Sequence, residues 1–288
     1  TDFRSPCSIK TGRNSLRESE WRNFHRRARY RQQQERKCEG KSMMDYLYDG
    51  TFEGILTCIY HHYYTEKASG IFPAESYQSC MLGGYMYVET DEEKAGRVYE
   101  AVKNKISYFD LVRIYKVYLS NDPQKENKIL DYVVFGFKKG SSVSKFHGSS
   151  VVAAVESIEK KIKVEQERMM QFVRFSVMER GVMYSEIAPD NDVLELVADH
   201  FSERFRNDPF IIHDTGRKKA VVAFEGKWYI TPFDGKDIPD ESEDEKMYRR
   251  LWKHYFDNIA IKERTNRKCQ SRFIPQRYRK NLTEMNTV

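Results

Sequence analysis

Four groups of residues carry side chains able to do chemistry. Glu186, Asp190 and Asp192 fall where a short apolar run gives way to Pro189-Asp190-Asn191-Asp192. Carboxylates clustered at such a junction could hold a Mg²⁺ ion for phosphoryl chemistry. The plainer reading has Asp190 or Asn191 capping the next helix and Asp192 in its first turn, where negative charge suits the helix dipole. His213-Asp214-Thr215-Gly216-Arg217 ends a strand and enters a turn. His213 and Asp214 there fit general acid–base work or the grip on a flipped base, or else Asp214 and Gly216 are turn residues and Arg217 pairs with a carboxylate. Arg168 and Arg174 share a helix with Met169, Phe172 and Val173. Six residues apart, they do not lie on one face, and Arg174 between Val173 and Phe175 reads as a half-buried guanidinium pairing with Glu186 or, failing that, with a phosphate. The fourth group is the C-terminal segment: Lys262 to Lys280 holds eight Lys or Arg against Glu263 alone, interleaved with Phe273 and Tyr278. Cations among flat rings suit nucleic acid, although Phe273 and Tyr278 would equally dock such a tail on a core.

The elements that must position these groups follow from periodicity. Asp45–Asp49 reads as an aromatic strand turned by Asp49-Gly50, and Thr51 caps a helix bearing Ile55, Leu56 and Ile59. Tyr85–Glu89 is a second strand and a helix runs from about Asp91 to Lys105. Residues 107–139 predict two helices, and a long amphipathic helix with a charged middle is expected from about Ser149 through Met178. Then come a strand over Met183–Ile187, a helix with Leu194, Val197 and Phe201, and strands over Phe210–His213, Ala220–Phe224 and Lys227–Thr231. Gly216 and Glu225-Gly226 make those last three an antiparallel meander. A closing helix spans about 244–258. The predicted fold is α+β: a mixed sheet with a C-terminal antiparallel meander and a helical section, about 107–180, in the first half.

Charge divides the chain of 288 residues into an acidic body with two basic ends. Residues 1–42 carry twelve Lys or Arg and five acids, a net of +7, against +6 for the whole chain. With little apolar periodicity, 1–42 reads as a disordered basic leader. It is expected either to precede a natural start at Met43 or Met44, or to be a basic arm that touches nucleic acid. The main domain is expected over 43–261, followed by the basic-aromatic segment 262–288. The five cysteines (7, 38, 58, 80 and 269) include no CxxC pair, which fits reduced thiols in a cytoplasm. Cys58 reads as a core residue, and His61-His62 lacks a third ligand at metal spacing, so neither a metal nor a cofactor is expected. No run of eighteen apolar residues occurs, so no membrane span is expected, and without a basic-then-apolar opening secretion is not expected. There is no GxxxxGK[ST], no GxSxG, and no zinc-deaminase HxE with PCxxC.

Several stretches resemble a bacterial family associated with DNA metabolism and DNA repair. They are Tyr48-Asp49-Gly50-Thr51-Phe52-Glu53-Gly54, Arg168-Met169-Met170-Gln171-Phe172-Val173-Arg174-Phe175, Glu186 to Asp192, His200 to Phe205, and the ending from Arg272 to Leu282. The resemblance covers essentially residues 44–286, with these motifs in the family's order; the ending departs from it by having Ile274 for Met and Arg279 for Trp. Members are typically encoded beside a radical-SAM partner, and some are fused to a uracil-DNA-glycosylase domain. The resemblance therefore implies DNA as a ligand and a radical-SAM enzyme as a partner, without naming a reaction.

Three readings follow. In the first, the protein binds DNA through Arg264, Arg267, Lys268, Arg272, Arg277, Tyr278 and Lys280, with Arg168 and Arg174 contributing. The second makes it an adaptor whose tail docks on the radical-SAM partner. In the third it is a repair enzyme acting through Glu186, Asp192, His213 or Asp214.

Overall fold

The computed structural model describes residues 44–78, 83–236, 238–259, 261, 264, 266–279 and 281–285. The leader 1–42, Lys262 and Lys280 lie outside them. The first unit is a parallel sheet. Strand β1 (Met44–Tyr48) lies between β2 (Ala68–Pro73) and β3 (Gly84–Tyr87), parallel to both. Parallel pairing needs a crossover, supplied between β1 and β2 by helix α1 (Phe52–Tyr64). The turn into α1 is built as its residues dictate. Gly50 takes φ +89°, the Asp49 carboxylate accepts from the Thr51 amide (3.0 Å) and hydroxyl (2.7 Å), and Thr51 caps the Gly54 amide (3.0 Å). Strand β2 has no counterpart in the sequence reading. Its Gly70 and Pro73 look like turn residues, and Gly70 carries no side chain because the Phe72 ring lies where a Cβ would be.

Helix α2 (Glu92–Lys105) packs beside α1, and α3 (Tyr108–Tyr118), α4 (Lys125–Lys139) and α5 (Ser150–Phe172) form the expected helical section. Their interior is not wholly apolar. The Arg113 guanidinium, buried from α3, donates to Glu159 (2.8 Å) on α5 and to the Tyr132 hydroxyl (3.0 Å) on α4. Tyr132 in turn donates to Asp110 (2.7 Å). Burial opposes ionisation of Glu159, but Lys163 and Arg113 outweigh it and hold the carboxyl below its ordinary pKa.

The long helix ends at Phe172 rather than running through Met178. Val173 is already extended (φ −61°, ψ 128°), and Ser176–Val177 form a short strand, β4. The reason is a change of period: Ser176 and Met178 are buried with Val177 exposed between them, the alternation of a strand. Strand β4 opens a second sheet of order β4-β5-β6-β7-β8, with β5 (Met183–Ile187), β6 (Phe210–Asp214), β7 (Lys219–Phe224) and β8 (Lys227–Pro232). Strands β5 and β6 are parallel, joined through α6 (Leu194–Arg204), while β6-β7-β8 is the antiparallel meander expected. Glu225 (φ 52°) and Gly226 (φ 72°) make the two-residue β7–β8 turn. Helix α7 (Glu243–Ile259) and two short helices, α8 (Arg267–Phe273) and α9 (Gln276–Arg279), complete the described fold. One apolar cluster runs from Tyr46 through both sheets to Tyr278.

Replacing Arg113 by Met removes the buried cation between Glu159 and Asp110, leaving Glu159 only its more exposed cation partner Lys163 (3.0 Å) and Asp110 none. The variant is expected to lose about 3–5 kcal/mol of unfolding free energy, read by urea titration at pH 7. A loss within about 0.5 kcal/mol, the scale of an ordinary surface substitution, would contradict the assigned network.

Candidate functional site

The site is organised by a carboxylate in the charged middle of α5. Val155, Ile158, Ile162 and Met169 form its apolar stripe, and Glu165 falls on that stripe, 3% exposed. Its oxygens accept from the Asp190 amide (2.8 Å), the Asn191 amide (2.9 Å), the Asn191 side chain (2.6 Å) and the Tyr278 hydroxyl (2.8 Å). Arg277 also approaches it (3.3 Å) and pairs with Asp190. Burial alone would raise the Glu165 pKa; hydrogen bonds from the two amides, Tyr278 and Asn191 reverse that and hold it below its ordinary value. The 189–191 turn is thus fixed by Glu165. The expected capping by Asp190 or Asn191 does not occur, because α6 begins only at Leu194 and the cap residue Val193 makes no side-chain cap bond.

This turn separates two concave regions at the carboxyl end of the parallel pair β5–β6, where open α/β sheets place ligands. On one side is a cleft of about 470 Å³ lined by Lys160, Lys161 and Arg168 of α5, Asn121, Asp190 and Arg277. On the other is a cavity of about 130 Å³ formed by Tyr118, Ser120, Lys125, Asp192 and Arg217. Burial lowers the Lys125 pKa and raises that of Tyr118 to about 12. Lys125 donates to the Tyr118 carbonyl (2.6 Å), and Asp192 pairs with Lys219 (2.5 Å) through one oxygen while its other, Oδ1, is buried with no partner.

The carboxylates expected to cluster are each held separately. Glu186 is exposed and accepts from the Tyr184 hydroxyl (3.1 Å), Asp190 holds Arg277, and Asp192 holds Lys219. No group of three or more His, Cys, Asp or Glu able to hold a metal ion occurs among the described residues. His213 and Asp214 are both buried but serve different contacts. His213 Nδ1 meets the Tyr184 hydroxyl (2.8 Å) and its ring meets Phe233. Asp214 accepts from the Gly216 amide (3.0 Å) and Arg217 (2.9 Å). Arg217 reaches on to the carbonyls of Pro189 (3.2 Å) and Asp190 (2.7 Å), so this pair braces the turn.

Arg168 and Arg277, distant in sequence, line the same cleft. Arg174 instead donates to the carbonyls of Gln171 (2.8 Å) and Val173 (3.2 Å) at the end of α5. Its expected Glu186 partner is not among its described contacts. Tyr278 is buried against Phe172, with its pKa raised to about 12 by burial and by Glu165. It therefore packs, and its ring offers no free face. Arg264, Lys268 and Arg272 are exposed; Arg267 begins α8, and its side chain and Lys280 fall outside the described residues. The sequence reading did not find Glu165, Lys160, Lys161, Lys125 or Arg217 as a functional group. An acid on the apolar stripe of α5 was the readable signal for the first.

The chain belongs to the DUF4130 family, a domain of unknown function, matched over residues 123–284. No curated protein matches the chain. Among solved structures, it is similar to a DHH domain described as belonging to a member of a family of ribosomal proteins, at 14% identity and TM-score 0.28. That match covers 46% of this chain and 32% of the other, so the chain spans about a third of that protein's length. It is also similar to PggH from Vibrio cholerae, a pGpG-specific phosphodiesterase, at 7% identity and TM-score 0.33, covering 75% of this chain and 100% of the other. No helix among the described residues is long and apolar enough to cross a membrane.

Glu165→Gln is expected to cost about 2–3 kcal/mol at pH 7, the scale of hydrogen bonds to a buried charge. A depressed folded-state pKa contributes stability above the ordinary carboxylate pKa, and that contribution disappears as pH falls through the folded value. The wild-type advantage over the variant should accordingly hold from pH 7 down to about pH 5 and shrink as pH falls below the ordinary value of 4.5, followed by urea unfolding. A difference that stays constant with pH would contradict the assignment.

Proposed function

We propose that this protein binds nucleic acid in DNA metabolism, with DNA repair as its setting. The backbone phosphates would meet the exposed cations of the C-terminal segment and the basic edge of α5. The observation that carries the reading is a convergence of charge. Lys160, Lys161 and Arg168 from one helix and Arg277 from the C-terminal segment line one open cleft. Arg264, Lys268 and Arg272 stand exposed on the segment leading to Arg277. Lysines and arginines on neighbouring surfaces neutralise successive phosphates and release their counterions, which makes binding steeply salt-dependent. Arg277 has a double role in this reading, because its contacts with Asp190 and Glu165 hold the segment in place. No step of chemistry is assigned to Glu186, Asp192, His213 or Asp214.

Fluorescence anisotropy on an oligonucleotide across a salt series tests this. Lys268→Ala with Arg272→Ala should weaken binding at low salt and flatten the log–log salt slope by about 1.4–1.8, the value of two lost phosphate contacts. An unchanged affinity and slope would sink the proposal. It would favour the adaptor reading, in which a radical-SAM partner co-purifies and stays bound after nuclease treatment.

A further inference from the structure

Helix α7 has no buried residue, yet it is strongly amphipathic in pattern. Tyr248, Leu251, Trp252, Tyr255 and Ile259 recur at intervals of three and four, which places them along one stripe. The large ones remain open: Tyr248 is 62% exposed, Trp252 47% and Tyr255 56%. Trp252 and Tyr255 are already nearly parallel to each other, with ring centroids 5.7 Å apart at 24°. Phe273, at the end of α8, is 68% exposed. An apolar stripe of this size left in water calls for an occupant.

Charge identifies the occupant. Between Lys246 and Arg279 the sequence carries eleven Lys or Arg against two acids, Asp257 and Glu263. Of the three acids in the first turn of α7 (Glu243, Asp244 and Glu245), Glu243 is held by Lys246 (2.7 Å) and Glu245 by Arg249 (3.1 Å), cations of the same helix. The exposed stripe is mainly flat rings, so the matching surface is a polyanion with accessible flat faces. In a duplex the faces of the bases are stacked on one another; in a single strand they are free.

Resting on the nucleic-acid reading above, we propose that the open face of α7 is a stacking platform for unpaired bases. The preferred ligand is then single-stranded nucleic acid. Trp252 and Tyr255 receive the bases while the following cations track the backbone. The preference needs no base-specific hydrogen bond, because every base presents a π-face.

The test uses the full chain with a thymidine 20-mer, the matching duplex and vesicles containing anionic lipid. The expected result is tighter binding to the 20-mer than to the duplex, with quenching of Trp252 fluorescence. Trp252→Ala with Tyr255→Ala should weaken 20-mer binding about ten-fold or more and leave duplex binding within about two-fold, while Trp252→Phe, which keeps a ring, should retain 20-mer affinity. Equal affinity for the two DNAs, unaltered in the double variant, would overturn the platform and leave general nucleic-acid binding standing. Failure to bind either DNA would overturn both. Vesicle binding, or self-association in sedimentation, that is lost in the double variant without any change in 20-mer affinity would assign the face to a lipid surface or to a second copy, and would likewise overturn the proposal.

Discussion

One buried carboxylate sets the arrangement on which the rest depends. Glu165 has little solvent to offset its charge, so its oxygens must be met by donors. The donors come from three places: the backbone of the 190–191 turn, the side chain of Asn191, and Tyr278 with Arg277 in the C-terminal segment. The helical section, the carboxyl end of the β5–β6 pair and the chain's last helices are thereby joined at one point. Aspartate, one methylene shorter, would have to draw these partners inward, and an apolar residue would strand the Asp190 and Asn191 amides.

The same region carries a second set of ties toward the first sheet. The Tyr118 hydroxyl donates to the Gly50 carbonyl (3.0 Å) in the turn after β1, the central strand of its sheet. One residue later, the Leu119 carbonyl accepts from the Asp192 amide (2.9 Å), and the Asn121 amide donates to the Asn191 side chain (3.1 Å). The α3–α4 connection therefore bridges the carboxyl ends of both parallel strand sets. Those ends are where open sheets gather ligand groups, and both concave regions of the site lie against this connection.

Much of this fold was legible because it follows periodicity. The β1–α1 turn, α2, the paired helices α3 and α4, and the β6-β7-β8 meander all announce themselves by apolar spacing and turn residues. Strand β2 did not, since Gly70 and Pro73 break any alternation. The end of α5 was overrun because Phe172, Val173, Phe175 and Val177 continue an apolar reading while the backbone has already switched period. The site was harder to read because long-range pairing decides it. Asp190 looks like a cap and is an Arg277 partner; Tyr278 looks like a stacking ring and is a buried donor to Glu165. No local pattern reports that residue 165 will meet residue 278. The charged stretch from Glu156 to Arg168 resembles a solvated face, yet it holds two buried acids, Glu159 and Glu165, beside the cleft-lining Lys160, Lys161 and Arg168.

In the proposed reading the C-terminal helices and the basic edge of α5 form one contact surface for nucleic acid, held in register by Glu165. Amide hydrogen exchange on the full chain, with and without a saturating oligonucleotide, examines that surface as a whole. Slower exchange should appear together in peptides covering α7, α8 and the Lys160–Arg168 end of α5, with β3 and α2 unchanged. Protection confined to other elements, or none under conditions where binding is saturated, would contradict it.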